Sequence, residues 1–173
     1  MSNRSAAESR FVYVTYIKTT PERLWTALTD AKFAQQYWLG ARPEAEWKVG
    51  GAWKITYPDG RITDTGEILE YVPGKRLAIK WRNEFRPELK AEGWSLCTME
   101  VEPAAGEAVK LTVTHSIERK ESKLIEAVSG GWPQILSNLK TLLETGETLP
   151  SGDDDPKAAG QGAEAAARAA TNA

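Results

Sequence analysis

One cysteine, Cys97, and one histidine, His115, are all that 173 residues hold of the side chains most used for redox and metal chemistry. A lone cysteine cannot close an intramolecular disulfide or build a zinc cluster, and a lone histidine excludes metal sites of the HExxH type. Long hydrophobic runs are missing too. No apolar stretch approaches the roughly 18 residues that span a bilayer, and the polar opening, residues 1–10, does not read as a secretory signal. Charge of one sign is equally scarce. The formal net charge of −2 belongs to residues 151–173, where Asp153, Asp154, Asp155 and Glu164 stand against Lys157 and Arg168. Residues 1–150 balance, with 20 basic and 20 acidic side chains. A neutral body lacks the phosphate contacts that supply most nucleic-acid affinity. These absences describe a cytoplasmic protein with no metal, no cofactor, no nucleic-acid partner and no membrane span.

What is abundant is tryptophan. There are seven, all between Trp25 and Trp132. Residues 151–173 hold no Val, Ile, Leu, Phe, Tyr or Trp and nine alanines, so they have nothing to dock with. The expected organisation is a disordered start over 1–9, one domain over 10–148, and a disordered Ala/Asp-rich tail over 149–173. A body of this size supports one core.

The spacing of apolar residues gives the elements. Phe11 to Ile17 is β-branched and aromatic, the composition of a strand. Thr20-Pro21-Glu22 has a cap, a first-turn proline and a first-turn acid, and Leu24, Trp25 and Leu28 then share one helical face. Asp30 caps a second short helix carrying Phe33, Tyr37 and Trp38. From Trp47 the period becomes two: Trp53, Ile55 and Tyr57; a strand from Arg61 to Tyr71; Leu77, Ile79 and Trp81; Cys97, Met99 and Val101; Val109 to His115. Pro58-Asp59-Gly60, Pro73-Gly74 and the stretch from Pro103 to Gly106 are turns. The last element is a helix whose stripe runs Leu124, Val128, Trp132, Ile135, Leu136, Leu139, Leu142 and Leu143. Pro133 predicts a kink or a second helix starting there, and Gly146 a terminator. The order β-αα-ββββββ-α is an α+β fold, a curved antiparallel sheet wrapped over one long C-terminal helix. Trp38, Trp53, Trp81 and Trp132 come from four elements that should meet in one interior.

Several stretches resemble the activator of heat-shock protein 90 ATPase homologue-like domains. They are Pro21-Glu-Arg-Leu-Trp-Thr-Ala-Leu-Thr-Asp30, Tyr37-Trp-Leu-Gly40, Val49-Gly-Gly51, Pro58-Asp-Gly60, Thr65-Gly-Glu-Ile68 and Arg76-Leu77. Leu111-Thr-Val-Thr-His115 and the segment from Gly131-Trp-Pro-Gln to Glu144 complete the pattern, in order, across residues 11–148. The resemblance implies the SRPBCC superfamily and a helix-grip fold similar to START lipid-binding domains and birch-pollen allergens. It also implies a cavity between the sheet and the C-terminal helix. The expected function is binding of a small apolar, aromatic or lipid-like ligand, rather than catalysis. The alternatives are a co-chaperone-like module acting on a heat-shock protein in the stress response, and a hydrolase or cyclase using the cavity.

The candidate ligand-binding rings are Trp38, Trp53, Tyr57, Trp81 and Trp132, which either pack a solid core or wall a cavity. The inward faces of the strands and the final helix add Met99, Val113, His115, Val128 and Leu136. Gly130-Gly131 either relieves crowding where helix meets sheet or leaves the gap that becomes a cavity mouth. His115 is expected as a hydrogen-bonded core histidine, and Cys97 as a buried small hydrophobe, with a Cys–His pair as the sharper alternative. No catalytic set is legible. Asp59 is expected to serve its turn, Asp64 and Glu70 to share a solvated strand face, and Glu67 to lie opposite. Val49-Gly50-Gly51 lacks phosphate-loop spacing and marks a strand entry. The charged stretch from Arg82 to Glu92 reads as a solvated loop, available as a lid over the cavity.

Overall fold

The computed structural model describes residues 7–150. The expectations for residues 1–6 and 151–173 lie outside the described residues. The elements are β1 (Ser9–Ile17), α1 (Pro21–Thr29), α2 (Ala31–Tyr37), β2 (Arg42–Ala45), β3 (Ala52–Thr56), β4 (Ile62–Val72), β5 (Arg76–Asn83), α3 (Pro87–Lys90), β6 (Ser95–Ala104), β7 (Ala108–Ile117) and α4 (Lys123–Thr145). Among the described residues, seven strands form one antiparallel sheet in the order β1-β7-β6-β5-β4-β3-β2. The sheet curves, and α4 packs on it against β1, β7 and α2. The expected α+β helix-grip architecture is present.

The short helices form for the reasons their sequences give. Thr20 Oγ1 accepts from Arg23 N at 3.2 Å with Pro21 in the first turn, and Asp30 Oδ1 accepts from Phe33 N at 2.8 Å. Each bond satisfies a donor that a helix start leaves open. Leu24, Ala27 and Leu28 of α1 then face a core shared with Ile17, Leu77, Ile79, Leu111, Leu136 and Leu139. Each fully buried Leu or Ile there contributes roughly 1.5–3 kcal/mol, and Leu139→Ala should remove about 2–5 kcal/mol. β2 is a strand that alternation did not announce, since Arg42-Pro43-Glu44-Ala45 carries no apolar period. It forms by pairing with β3, Pro43 opposite Ile55. Gly51 is the strand-entry glycine expected, because a Cβ there would lie 1.8 Å from the Glu46 carbonyl oxygen.

Helix α4 removes one of the two alternatives at Pro133. It runs unbroken through Pro133, so no second helix starts there. Proline removes one hydrogen bond, and the surrounding turns are held by packing of Trp132, Leu136 and Leu139 on the sheet. Its ends match the sequence. Ser122 Oγ accepts from Ile125 N at 3.1 Å, and Gly146 closes the helix at φ 82°.

The stretch from Arg82 to Glu92 is not the solvated loop the charges suggested. Leu89 is buried against Ile117, Leu124 and Ile125. Glu92 sits on the start of α4, accepting from Ser122 Oγ at 2.5 Å, Lys123 N at 2.8 Å and Leu124 N at 3.3 Å. A carboxylate at a helix N-terminus is stabilised by the free N–H groups and the dipole. The segment is therefore pinned at both its apolar and its charged contacts.

Candidate functional site

Between the β3–β5 side of the sheet, the end of α2 and the first half of α4 lies a cavity of about 390 Å³. Its inner wall is Trp38, Ile55 and Trp81; its helical wall is Leu124, Val128 and Ile135. Leu39, Phe85 and Arg61 stand exposed around its rim. At Gly131 α4 has no side chain to enter this space. A Cβ built on Gly130 or Gly131 meets nothing within 4 Å, so these glycines relieve no crowding. Gly131 borders the cavity, the position the mouth reading expected.

The acid inside is Asp64. It accepts from Trp81 Nε1 at 2.8 Å and from Asn83 Nδ2 at 3.3 Å, both on Oδ1. Burial outweighs those bonds and one from the Thr63 hydroxyl, and raises its pKa to about 6. This corrects the solvated-face expectation. A register shift between Ile68 and Glu70 turns Glu70 outward to pair with Arg76 at 2.7 Å, while Asp64 stays inward. The two carboxylates do not share a face. Glu67 is exposed. Asp59 serves its turn as expected, accepting from Arg61 N at 3.0 Å and pairing with Arg61 Nε at 2.7 Å.

At the mouth, Tyr57 and Phe85 meet edge-on with centroids 6.4 Å apart. The Arg61 guanidinium lies 5.6 Å from the Tyr57 centroid and 4.9 Å from that of Phe85. Burial, then the nearby Asp64 charge, raise the Tyr57 pKa, so its hydroxyl stays a donor. Nearby Glu84 is held down at about 2, chiefly by Lys90, with Thr65 and Arg82 adding hydrogen bonds.

Behind the cavity lies a packed aromatic layer. The Trp53 and Trp81 centroids are 4.4 Å apart, Trp38 and Trp132 5.4 Å, and Trp81 and Trp132 5.8 Å. The four tryptophans from four elements do converge. His115 is buried in this layer, with Nε2 2.8 Å from Ser95 Oγ and Nδ1 accepting from Trp132 Nε1 at 3.3 Å. It is a core histidine with both nitrogens engaged. Cys97 lies directly opposite it across β6 and β7. Burial pushes the thiol well above its usual range and the imidazole down to about 3. An activated thiolate–imidazolium pair needs the opposite shifts, so the two are neighbours without nucleophilic chemistry.

Of the ten candidate residues, Trp38, Tyr57, Trp81 and Val128 line the large cavity. Trp53, Met99, Trp132 and Leu136 border a separate void of about 20 Å³, room for about one water. Val113 and His115 are fully buried and border neither. Sequence reasoning missed Asp64, Asn83, Arg61 and Phe85. Phe85 and Asn83 sat inside the stretch taken as a solvated loop, where a proline after Arg86, matching that of α1, was the available sign of order.

Among the described residues no group of three or more His, Cys, Asp or Glu side chains could hold a metal ion. No described helix is long and apolar enough to cross a membrane.

Comparison with known proteins gives the same frame. No curated protein matches the chain. A solved structure of PFC0360w, an HSP90 activator from Plasmodium falciparum, is 26% identical, with TM-score 0.63 over 78% of this chain and 95% of that one. Protein MLL2253 from Mesorhizobium loti is 24% identical, with TM-score 0.66 over 78% and 96%. CalU16 from Micromonospora echinospora is 20% identical, with TM-score 0.63 over 93% and 88%. The family model for Activator of Hsp90 ATPase homolog 1-like protein matches residues 18–144, the span from the start of α1 to the end of α4 that builds the cavity, and the chain belongs to that family.

Proposed function

We propose that this protein reversibly binds a small apolar or aromatic molecule in the cavity between its sheet and α4. The observation that supports this reading is open space of about 390 Å³ walled by tryptophan and aliphatic side chains. Ligand sites commonly occupy roughly 300–1,000 Å³ and place a few polar groups on apolar walls. Burying a ligand against such walls yields roughly 25 cal/mol per Å² before ordering costs. Binding is preferred to catalysis because His115 and Cys97 are both held in unreactive states. The reading takes the protein as cytoplasmic. Native mass spectrometry of the freshly purified full chain tests it, together with titration of the neutral dye N-phenylnaphthylamine. A retained small molecule or saturable dye binding is expected; neither would reject the reading.

A second reading is a co-chaperone-like surface, and one observation favours it. Val12, Val14 and Tyr16 stand exposed on the outer face of β1, the edge strand, beside Thr114, Thr112 and Lys110 of β7. Exposed apolar patches mark partner sites. The likeness to a Plasmodium falciparum HSP90 activator supplies the partner class, and with it a role in the stress response. ATPase assays with an Hsp90-type chaperone decide. Stimulation lost in Val14→Glu supports this reading, and no stimulation by the parent protein rejects it.

A further inference from the structure

Two carboxylates border the cavity, and they are used differently. Asp59, at the mouth, is paired with Arg61. Asp64, inside, is 9% exposed and forms no ion pair among the described residues. Its side-chain donors, Trp81 Nε1, Asn83 Nδ2 and the Thr63 hydroxyl, are all neutral, and the first two end on the same oxygen. An amide oxygen would accept both equally well. The scaffold therefore needs an acceptor here, yet carries an acid, although a buried carboxylate without a counter-charge is destabilising.

The groups around Asp64 do not supply that counter-charge. Glu84 is the charged side chain that acts on it, and it disfavours ionisation. Arg61, from the β3–β4 turn, is committed to Asp59 and to the Tyr57 and Phe85 rings. Helix α4 turns Ala127, Val128, Gly131, Gln134 and Ile135 toward the cavity, none of them titratable, and α2 offers Trp38. The surrounding aromatic faces do favour a cation, as the seating of the Arg61 guanidinium over two of them shows.

We propose that the ligand of this cavity is an aromatic or apolar molecule bearing a protonated amine. Its ammonium lies against the Asp64 carboxylate and its hydrocarbon body against Trp38, Trp81 and Val128. This rests on the ligand-binding reading above and narrows it to a chemical class.

Three matched probes test it by displacing N-phenylnaphthylamine from the full chain: naphthylethylamine, ethylnaphthalene and naphthylacetate. At neutral pH the amine should bind at least about tenfold more tightly than the other two, the scale of one charge-assisted hydrogen bond. That preference should fade as pH falls through about 6, where Asp64 takes up its proton. Asp64→Asn should erase the preference of the amine over ethylnaphthalene. Equal binding of amine and hydrocarbon, tighter binding of the acetate, or a preference that survives in Asp64→Asn would overturn the proposal while the cavity reading stands. If neither dye nor any probe binds, the ligand-binding reading itself fails. Should Asp64→Asn not fold, the pH series on the parent protein decides, and a pH-independent preference overturns the proposal.

Discussion

Trp132 of α4 donates its indole N–H to His115 Nδ1 of β7 at 3.3 Å, and this fixes where the imidazole proton lies. With Nδ1 accepting, a neutral ring carries its proton on Nε2, which donates to Ser95 Oγ at 2.8 Å. Ser95 Oγ in turn donates to the Trp81 carbonyl at 3.0 Å. One histidine therefore ties the long helix to two strands in a single tautomer. Adding a proton would set two N–H groups against each other in a site that burial already makes hostile to charge.

The first prediction follows for that ring. Nitrogen NMR should find His115 as the neutral tautomer protonated on Nε2, without titration between about pH 4 and 8, because burial holds its pKa at about 3. A midpoint near 6 would contradict the buried relay.

Acid stability should show two opposed slopes. The folded pKa of His115 lies below its ordinary value, so the unfolded chain takes up that proton first. Its contribution is complete above about pH 6.5 and is lost as pH falls toward 3. The folded pKa of Asp64 lies above its ordinary value, so the unfolded chain releases that proton first. Its contribution is complete below about pH 4 and is lost as pH rises through about 6. Asp64→Asn should therefore be more stable than the parent at pH 7, by about 2–3 kcal/mol, with the difference closing below about pH 4. Urea unfolding across this range measures it, and a less stable variant at neutral pH would contradict the buried, unpaired carboxyl.

Gly131 offers a steric test. Gly131→Leu places its side chain into space that is now open, so binding of N-phenylnaphthylamine should be lost without loss of fold. Gly131→Ala should raise stability by about 1 kcal/mol, the usual penalty of a helical glycine. Unchanged dye binding in the leucine variant would place the dye elsewhere.

Cys97 should be inert. Burial raises its thiol pKa and closes it to solvent, so iodoacetamide at neutral pH should label it only on unfolding. Rapid labelling of the native chain, read by mass spectrometry, would reopen the Cys–His alternative.

The fold was legible because its signals are local. Thr20 and Asp30 cap, β7 alternates cleanly, and α4 carries one continuous stripe. The site was less legible because its residues depend on irregularity. β4 carries Ile62, Ile68, Leu69 and Val72 on both parities, with register shifts at each end, so counting by parity puts Asp64 on the solvated face with Glu70 although it points inward. Leu89 lies in a stretch dominated by charge, and its burial comes from contacts with α4 far along the chain. The aromatic residues were identified, but which line open space and which pack behind it depends on Gly131, where the informative feature is an absent side chain.

The convergence of Trp38, Trp53, Trp81 and Trp132 has an optical consequence. Neighbouring indoles here have centroids 4.4 to 6.3 Å apart, close enough for excitation to pass between them. Two of its members, Trp38 and Trp81, form a cavity wall, while the other two are sealed from solvent. An occupant touching the first pair would change the surroundings of two indoles of this set and so its emission. The protein carries its own reporter of an occupied cavity, and no label is needed to read it.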